Sequence, residues 1–292
     1  MINICIPSYK RCGKISIFKS IPQSYSANVF LYVRKEEQEA YTKEYGHACT
    51  VVPLEGVSNI GTTRQAIIAH QHPNRILMID DDVTIHEHFI DHLGWLRPQK
   101  ELISESAFYT LIATIEELMD KGAAHGGLRT SIYSANFTKG NSSYRPNQLP
   151  YKVNAYTFTN TWYDLSRIPQ SLFKFNEWSL YEDLSMWAYL IDNGFDSARL
   201  GTYITATVFD GNTGGVWETR TIEAMNNYAI KLKELYPKYV QIKQPKGVIP
   251  TICGSTAIRL SPTPKTVSLK KHRKEMLQKF DYYIPLLDPN RG

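Results

Sequence analysis

At 292 residues, 42% of them hydrophobic, the chain is long enough to bury a full core, and one α/β domain with an appendage suits it better than two equal domains. Its apolar runs fall far short of the roughly 18 residues of a membrane span, and the amino terminus lacks a basic, apolar, small-residue signal pattern, so a soluble cytoplasmic protein with no membrane partner is expected. The net charge is +5, and the four cysteines (Cys5, Cys12, Cys49 and Cys253) show neither CxxC pairing nor the density of a disulfide scaffold, in agreement with a reducing compartment.

Asn3 to Ile6 read as a short apolar strand that runs into Pro7-Ser8-Tyr9-Lys10-Arg11, a polar loop with two cations that can hold a nucleotide. Val29 to Val33 make a second strand, Lys35 to Tyr45 a charged helix, and Thr50 to Pro53 a third strand. The segment Gly56-Val57-Ser58-Asn59-Ile60-Gly61-Thr62-Thr63-Arg64 supplies N-cap residue types and puts Arg64 in the first turns of a helix ending near His70. Next comes Ile76-Leu77-Met78-Ile79, a buried strand ended by Asp80-Asp81-Asp82. In an open α/β sheet the crevice beyond the carboxyl ends of the strands binds ligands, so this strand delivers the carboxylates there. Asp80 and Asp82 would project the same way on an extended strand, and three adjacent carboxylates repel one another unless a cation sits among them. Hard oxygen ligands suit Mg²⁺ or Mn²⁺, which recruits phosphate oxygens of a substrate; a solvated Asp-rich turn is the plainer alternative. Strand, helix, strand, helix, strand is the order of a nucleotide-binding α/β half.

Further along, a long helix is expected from about Ser104 to Gly122, followed by Gly126-Gly127-Leu128-Arg129. Lys139 to Trp178 lacks helical periodicity and reads as loops and short strands; Tyr144, Tyr151, Tyr156, Trp162, Tyr163 and Trp178 either stack on a sugar or base or belong to the core. Leu184, Trp187, Ala188 and Ile191 recur at helical spacing, which puts Glu182 and Asp183 at the start of a helix closing at Asn193-Gly194. A β-branched strand then leads into Asp210-Gly211-Asn212-Thr213-Gly214-Gly215, either a backbone approach to a ligand or a tight turn, before a helix from about Glu218 to Tyr236.

Ile6-Pro7-Ser8-Tyr9, Asn59 to Arg64, and Ile79 to Asp82, continued by Gly126 to Arg129, Glu182-Asp183 and Gly214-Gly215, resemble the GT-A class of glycosyltransferases over about three quarters of the chain. More narrowly, they resemble the phage-rich TET-associated glycosyltransferases, thought to put sugars on hydroxymethylated pyrimidines in DNA. The resemblance implies a GT-A α/β fold, with a Rossmann-like nucleotide-binding half and a mixed central sheet, over residues 1–242. A basic, Pro-containing carboxyl-terminal extension, 243–292, packs on or beside it. It further implies a nucleoside-diphosphate sugar donor, with UDP as the expected nucleotide, and Mn²⁺ or Mg²⁺ as cofactor. Asp80 matches the nucleoside-side position of the motif and Asp82 the metal position, with Asp80 and Asp210 or Asn212 as further metal ligands where family members often use a His. Pro7, Ser8, Tyr9, Arg11, Arg64, Asp81, Gly214 and Gly215 fall on the nucleotide-sugar side. Arg64, Lys10 and Arg11 complement base or diphosphate, or are ordinary surface charge. Asp183 matches the family's base for an inverting transfer, with Glu182 as its alternate, although the helix dipole favours both there whatever the function.

Residues 243 to 292 hold ten Lys and Arg against three acidic residues, net +7, while the first 242 hold 23 against 25. Lys270, Lys271, Arg273 and Lys274 form a basic cluster suited to the phosphates of double-stranded DNA; an anionic membrane or plain solvent are the alternatives. The resemblance, together with this cluster, implies a 5-hydroxymethylpyrimidine in phage DNA as the expected acceptor. A surface glycan or lipid-linked acceptor stands as the alternative for the same active site, and a non-catalytic DNA-binding protein as the alternative of another class. A sugar nucleotidyltransferase would begin with a Gly-rich phosphate loop, where this chain has Pro7-Ser8-Tyr9-Lys10.

Overall fold

The computed structural model describes residues 1–90, 96–98, 101–131, 151–154, 157, 159–207, 221–243 and 259–262. Strands β1 (Asn3–Pro7), β2 (Val29–Arg34), β3 (Thr50–Leu54) and β4 (Arg75–Met78) are parallel in the order β3-β2-β1-β4. Helices α1 (Gln38–Tyr45) and α2 (Ile60–Gln71) make the crossovers to β3 and β4, and short 3-10 turns replace a helix between β1 and β2. The sheet continues through β9 (Thr161–Asp164), β7 (His125–Ser131), β10 (Ser197–Thr207), β5 (Val83–Ile90) and β6 (Leu96–Pro98), and β8 (Tyr151–Val153) pairs with β10. Beyond β4, among the described residues, only the β7–β10 pairing is parallel, so the sheet is mixed, as expected of a GT-A enzyme.

Side-chain alternation on the parallel strands builds a core on each face. Ile4 and Ile6 of β1 and Leu77 of β4 join the cluster holding Tyr41 of α1 and Phe108, Leu111 and Ile115 of α3 (Glu105–Asp120). Cys5, Ile76 and Met78 point the other way, toward Ile67 and Ile68 of α2 and Met186 and Leu190 of α4 (Glu182–Asp192). A third cluster joins Trp187 and Ala188 of α4 to Leu232 of α5 (Ile222–Leu235) and Val240 of β11 (Val240–Lys243). Helix α5 thus begins a turn later than its sequence pattern indicates. Strand β11 pairs antiparallel with β12 (Arg259–Pro262), a ladder that crosses the 242/243 position. Among the described residues no helix is long and apolar enough to cross a membrane.

Candidate active site

The strand order reverses between β1 and β4: the chain reaches β2 on one side of β1 and, later, β4 on the other. Such a switch point opens a crevice at the carboxyl ends of the two strands, and the loops emerging there carry Ser8 to Arg11 and Asp80 to Asp82. Ser8 Oγ donates to Asp81 Oδ2 at 2.6 Å and lies 3.1 Å from the Tyr41 hydroxyl, which accepts from the Arg11 backbone N–H at 2.8 Å. Arg11 Nη1 sits 2.6 Å from Asp81 Oδ1 and 2.9 Å from Asp82 Oδ2. Tyr9 lies on the rim, with the Arg34 guanidinium 3.6 Å from its ring centre.

The opposite wall comes from α2 and α4. Asn59 caps α2 by a reciprocal pair: its side chain accepts from the Thr62 backbone N–H at 3.0 Å, and Thr62 Oγ1 accepts from the Asn59 backbone N–H at 3.1 Å. Gly61 lets the helix approach the turn at Phe175–Glu177, because a Cβ there would collide with the carbonyls of Trp178 and Phe175. Gln65 Oε1 accepts from the Phe175 N–H at 3.0 Å across the same contact. This docking carries Arg64, 2% exposed, under the site, where Nη2 meets Asp80 Oδ1 at 3.1 Å and Nη1 lies 3.5 Å from Glu182 Oε1.

The acidic triplet differs from its expected form. Strand β4 ends at Met78, and Asp81 and Asp82 occupy a turn, so strand alternation does not orient the carboxylates. Their partners orient them instead: Asp80 faces Arg64, Asp81 faces Ser8 and Arg11, and Asp82 shares Arg11 with Asp81. Burial, opposed by Arg64 and reinforced by the charges of Asp82 and Asp81, pushes the Asp80 carboxyl up to about 7. Burial likewise raises Asp81 to about 6 against the pull of Arg11.

Among the described residues, Arg11 and Arg64 face Asp80, Asp81, Asp82 and Glu182, with Asp183 also acting on Arg64, and this excess of carboxylates fits a cation. Among the described residues no three His, Cys, Asp or Glu side chains converge into a ready-made cage. An open site of the Mg²⁺ or Mn²⁺ kind needs only one or two carboxylates, with substrate oxygens completing the shell. Asp82 and Asp80 are the residues that would hold it.

At the start of α4, Asp183 Oδ1 accepts from the Leu184 N–H at 2.7 Å and Oδ2 from the Thr159 N–H at 2.8 Å. Asn160, fully buried, turns its Oδ1 to the Asp80 N–H at 3.1 Å. The site thus has two carboxylate stations, one at the end of β4 and one at the start of α4, joined by Arg64 and by residues 159 and 160.

The family model for TET-Associated Glycosyltransferase matches residues 2–208, a span that contains both stations. The chain belongs to the TET-associated glycosyltransferase family. Over 290 residues it is 29% identical to the Beta-glucosyl-HMC-alpha-glucosyl-transferase of Enterobacteria phage T6, covering 98% of this chain and 99% of that one; the T2 enzyme of the same name gives the same figures. A solved glucosyl-3-phosphoglycerate synthase from Mycobacterium tuberculosis overlays with a TM-score of 0.46 at 8% identity, covering 91% of this chain and 88% of that one.

Within this glycosyltransferase the sequence-predicted residues Ser8, Arg11, Arg64, Asp80, Asp81, Asp82, Glu182 and Asp183 come together, with Pro7 closing β1 beside them and Tyr9 packed against Arg34. Asp210, Asn212, Gly214, Gly215, Lys270, Lys271, Arg273 and Lys274 lie outside the described residues, as do Tyr144 and Tyr156. Trp162 and Tyr163 are core, and Trp178 is buried against Tyr228 with the Lys231 ammonium over its ring. Sequence reasoning missed Thr159, Asn160 and Tyr41. The buried position of Arg64 did leave a signal: Arg64, Ile67, Ile68 and Gln71 recur at helical spacing and all face inward.

Proposed function

We propose that this chain moves a glucosyl group from a UDP-linked donor to a hydroxyl carried by hydroxymethylcytosine in phage DNA, with Mn²⁺ or Mg²⁺ as cofactor. The supporting observation is the near full-length likeness to two phage enzymes whose name joins HMC to two glucosyl groups of opposite anomeric configuration. That name favours an acceptor already carrying one sugar, so the attacking group would be a glucose hydroxyl rather than the bare hydroxymethyl group.

In the proposed reaction the carbon–oxygen bond to the acceptor forms as the bond to the diphosphate breaks, and Asp183 takes the hydroxyl proton. The relatives' name makes the added glucose α-linked; from an α-linked UDP-glucose donor that is retention, so the new bond forms on the face the diphosphate leaves, and the inversion expected from the sequence is not carried forward. A divalent ion held by Asp82 and Asp80 would stabilise charge on the leaving diphosphate. Arg11, already among the carboxylates, would meet the donor's diphosphate, while Arg64 balances Asp80 and Glu182 from below. The basic cluster Lys270, Lys271, Arg273 and Lys274 would hold the phosphates of the DNA acceptor.

The test is a mixture of the purified chain, labelled UDP-glucose, Mn²⁺ and one of four acceptors: unmodified DNA, hydroxymethylcytosine DNA, the same DNA already glucosylated, and a surface glycan. The expected result is one hexose added to glucosylated hydroxymethylcytosine, read by mass spectrometry of the nucleosides, with an α anomeric proton when the product is examined by NMR. Transfer to the glycan alone would overturn the DNA reading, and a β product would overturn retention.

A further inference from the structure

Among the described residues, four non-glycine side chains sit on left-handed backbone: Lys10, Asn154, Thr159 and Tyr181. Asparagine tolerates that region; a lysine, a tyrosine and above all a β-branched threonine do not. The three unfavourable ones all border the carboxylate cluster. Lys10, at φ +57, lies between Ser8 and Arg11; Tyr181, at φ +58, immediately precedes Glu182 and Asp183; Thr159, at φ +64, gives its N–H to Asp183 Oδ2. Left-handed positions of this kind persist only where the surrounding structure holds them, and they gather at functional sites.

What holds Thr159 is the neighbouring carboxamide. Asn160 Oδ1 accepts from the backbone N–H of Asp80 at 3.1 Å, and its Nδ2 donates to Thr205 Oγ1 on β10 at 2.7 Å and to Thr159 Oγ1 at 3.1 Å. The Asn160 backbone carbonyl also accepts from the Leu128 N–H at 2.9 Å on β7. A fully buried residue thus clamps the end of β4 to β7 and β10 while orienting the residue beside it. A continuous path of hydrogen bonds runs from the Asp80 N–H through the Asn160 side chain and the Thr159 hydroxyl and backbone to the Asp183 carboxylate. Arg64, between Asp80 and Glu182, is a second and separate tie between the same two elements.

We propose that the Thr159–Asn160 turn is a positioning element of the transfer reaction, which sets the separation between the donor-side carboxylate Asp80 and the acceptor-side carboxylate Asp183. The proposal rests on reading Asp183 as the base. Thr159 is kept left-handed because that conformation aims its N–H at Asp183 while its hydroxyl remains within reach of Asn160. A glycine there would relieve the backbone but loosen the aim.

Three variants test this against a purely structural role. Thr159→Gly accepts positive φ without penalty, so its Tm is expected to equal or exceed that of the wild type while kcat falls about tenfold or more. The donor KM should stay within about twofold, because the Arg11 side of the site is untouched. Thr159→Asn tolerates the same backbone and keeps a side-chain oxygen for the Asn160 amide, so it should hold kcat within about threefold of the wild type. Asn160→Asp removes both amide donors and should lower kcat about a hundredfold; should it fail to fold, the two Thr159 variants decide the matter alone. Equal kcat in Thr159→Gly and the wild type, or equal losses in Thr159→Gly and Thr159→Asn, would overturn the proposal. An active wild type with a fully active Thr159→Gly removes only this inference; a wild type that transfers sugar to none of the acceptors takes the functional reading down with it.

Discussion

The Arg64 guanidinium and the Asp80 carboxylate meet at 3.1 Å beneath the candidate active site, with the arginine side chain only 3% exposed. Its other near carboxylate, Glu182, belongs to a different helix, so one buried cation balances two acids from distant parts of the chain. Removing a single partner of a buried ion pair strands the other charge and costs about 3–5 kcal/mol. Arg64→Met should therefore unfold in urea with a lowered midpoint, corresponding to a loss of that order, and Asp80→Asn in the same background should recover part of it. A midpoint for Arg64→Met equal to the wild type would show that the charges are compensated by other means.

Asp82 is placed differently. It is partly exposed, and its carboxylate meets Arg11 at 2.9 Å at the mouth of the crevice rather than under it. Asp82→Asn is expected to fold normally yet lose metal-dependent donor binding. In a thermal-shift titration, UDP with Mn²⁺ should raise the Tm of the wild type and leave that of the variant unchanged, because only a ligand bound by the native state shifts the melting point. Equal shifts in the two proteins would remove Asp82 from the metal site.

Asp183 should separate binding from chemistry. Loss of a positioned general base lowers the rate by about 10²–10⁴. Asp183→Asn is thus expected to bind donor like the wild type but to transfer at least a hundredfold more slowly. Glu182→Gln should be less damaging to kcat and more damaging to stability, since Glu182 is buried beside Arg64. The reverse order of kcat losses would exchange the roles of the two acids.

Local pattern made the nucleotide half readable. Asn59 and Thr62 are N-cap types and do cap α2; Ile76, Leu77 and Met78, three of the four apolar residues before the acidic triplet, do lie in a doubly covered sheet; Glu182 and Asp183 do open a helix. What stayed hidden depends on contacts between residues far apart in sequence. The Asn160 carboxamide acts on Asp80, 80 positions away, and nothing in Thr159-Asn160-Thr161 distinguishes such a clamp from an ordinary turn before a strand. The triplet looked like the end of an extended strand because sequence alone does not reveal that Ile79 N–H bonds to the Cys5 carbonyl and the chain then turns. The burial of Arg64 likewise follows from which face of α2 packs inward, whereas Arg11, in the loop after β1, bridges Asp81 and Asp82.

The basic cluster Lys270, Lys271, Arg273 and Lys274 makes a prediction from charge alone. Each phosphate neutralised on duplex DNA contributes about 0.9 to the slope of log affinity against log salt. Reversing all four charges to Glu should weaken binding to duplex DNA and flatten that slope by about 3 to 4 if each residue meets one phosphate. Turnover of a free glucoside acceptor should be unaffected, because the two carboxylate stations are unaltered. An unchanged salt slope would mean that the DNA is held elsewhere.

His125, on β7, is buried with Nε2 3.2 Å from the Phe195 carbonyl oxygen and its ring stacked near Tyr163. Burial lowers its pKa from the usual 6.5 to about 4. Between those values the unfolded chain binds a proton that the folded chain refuses, so this residue makes stability rise with pH. Its contribution is intact above about pH 6.5 and is lost as the pH falls toward 4, a total of about 3 kcal/mol, of which about 2 should be gone by pH 5. His125→Gln should be less stable than the wild type at pH 7.5, through lost packing, but should narrow the gap by about 2 kcal/mol at pH 5. Urea unfolding of both proteins at the two values provides the comparison, and a difference that does not change with pH would mean that the imidazole is protonated in the folded state.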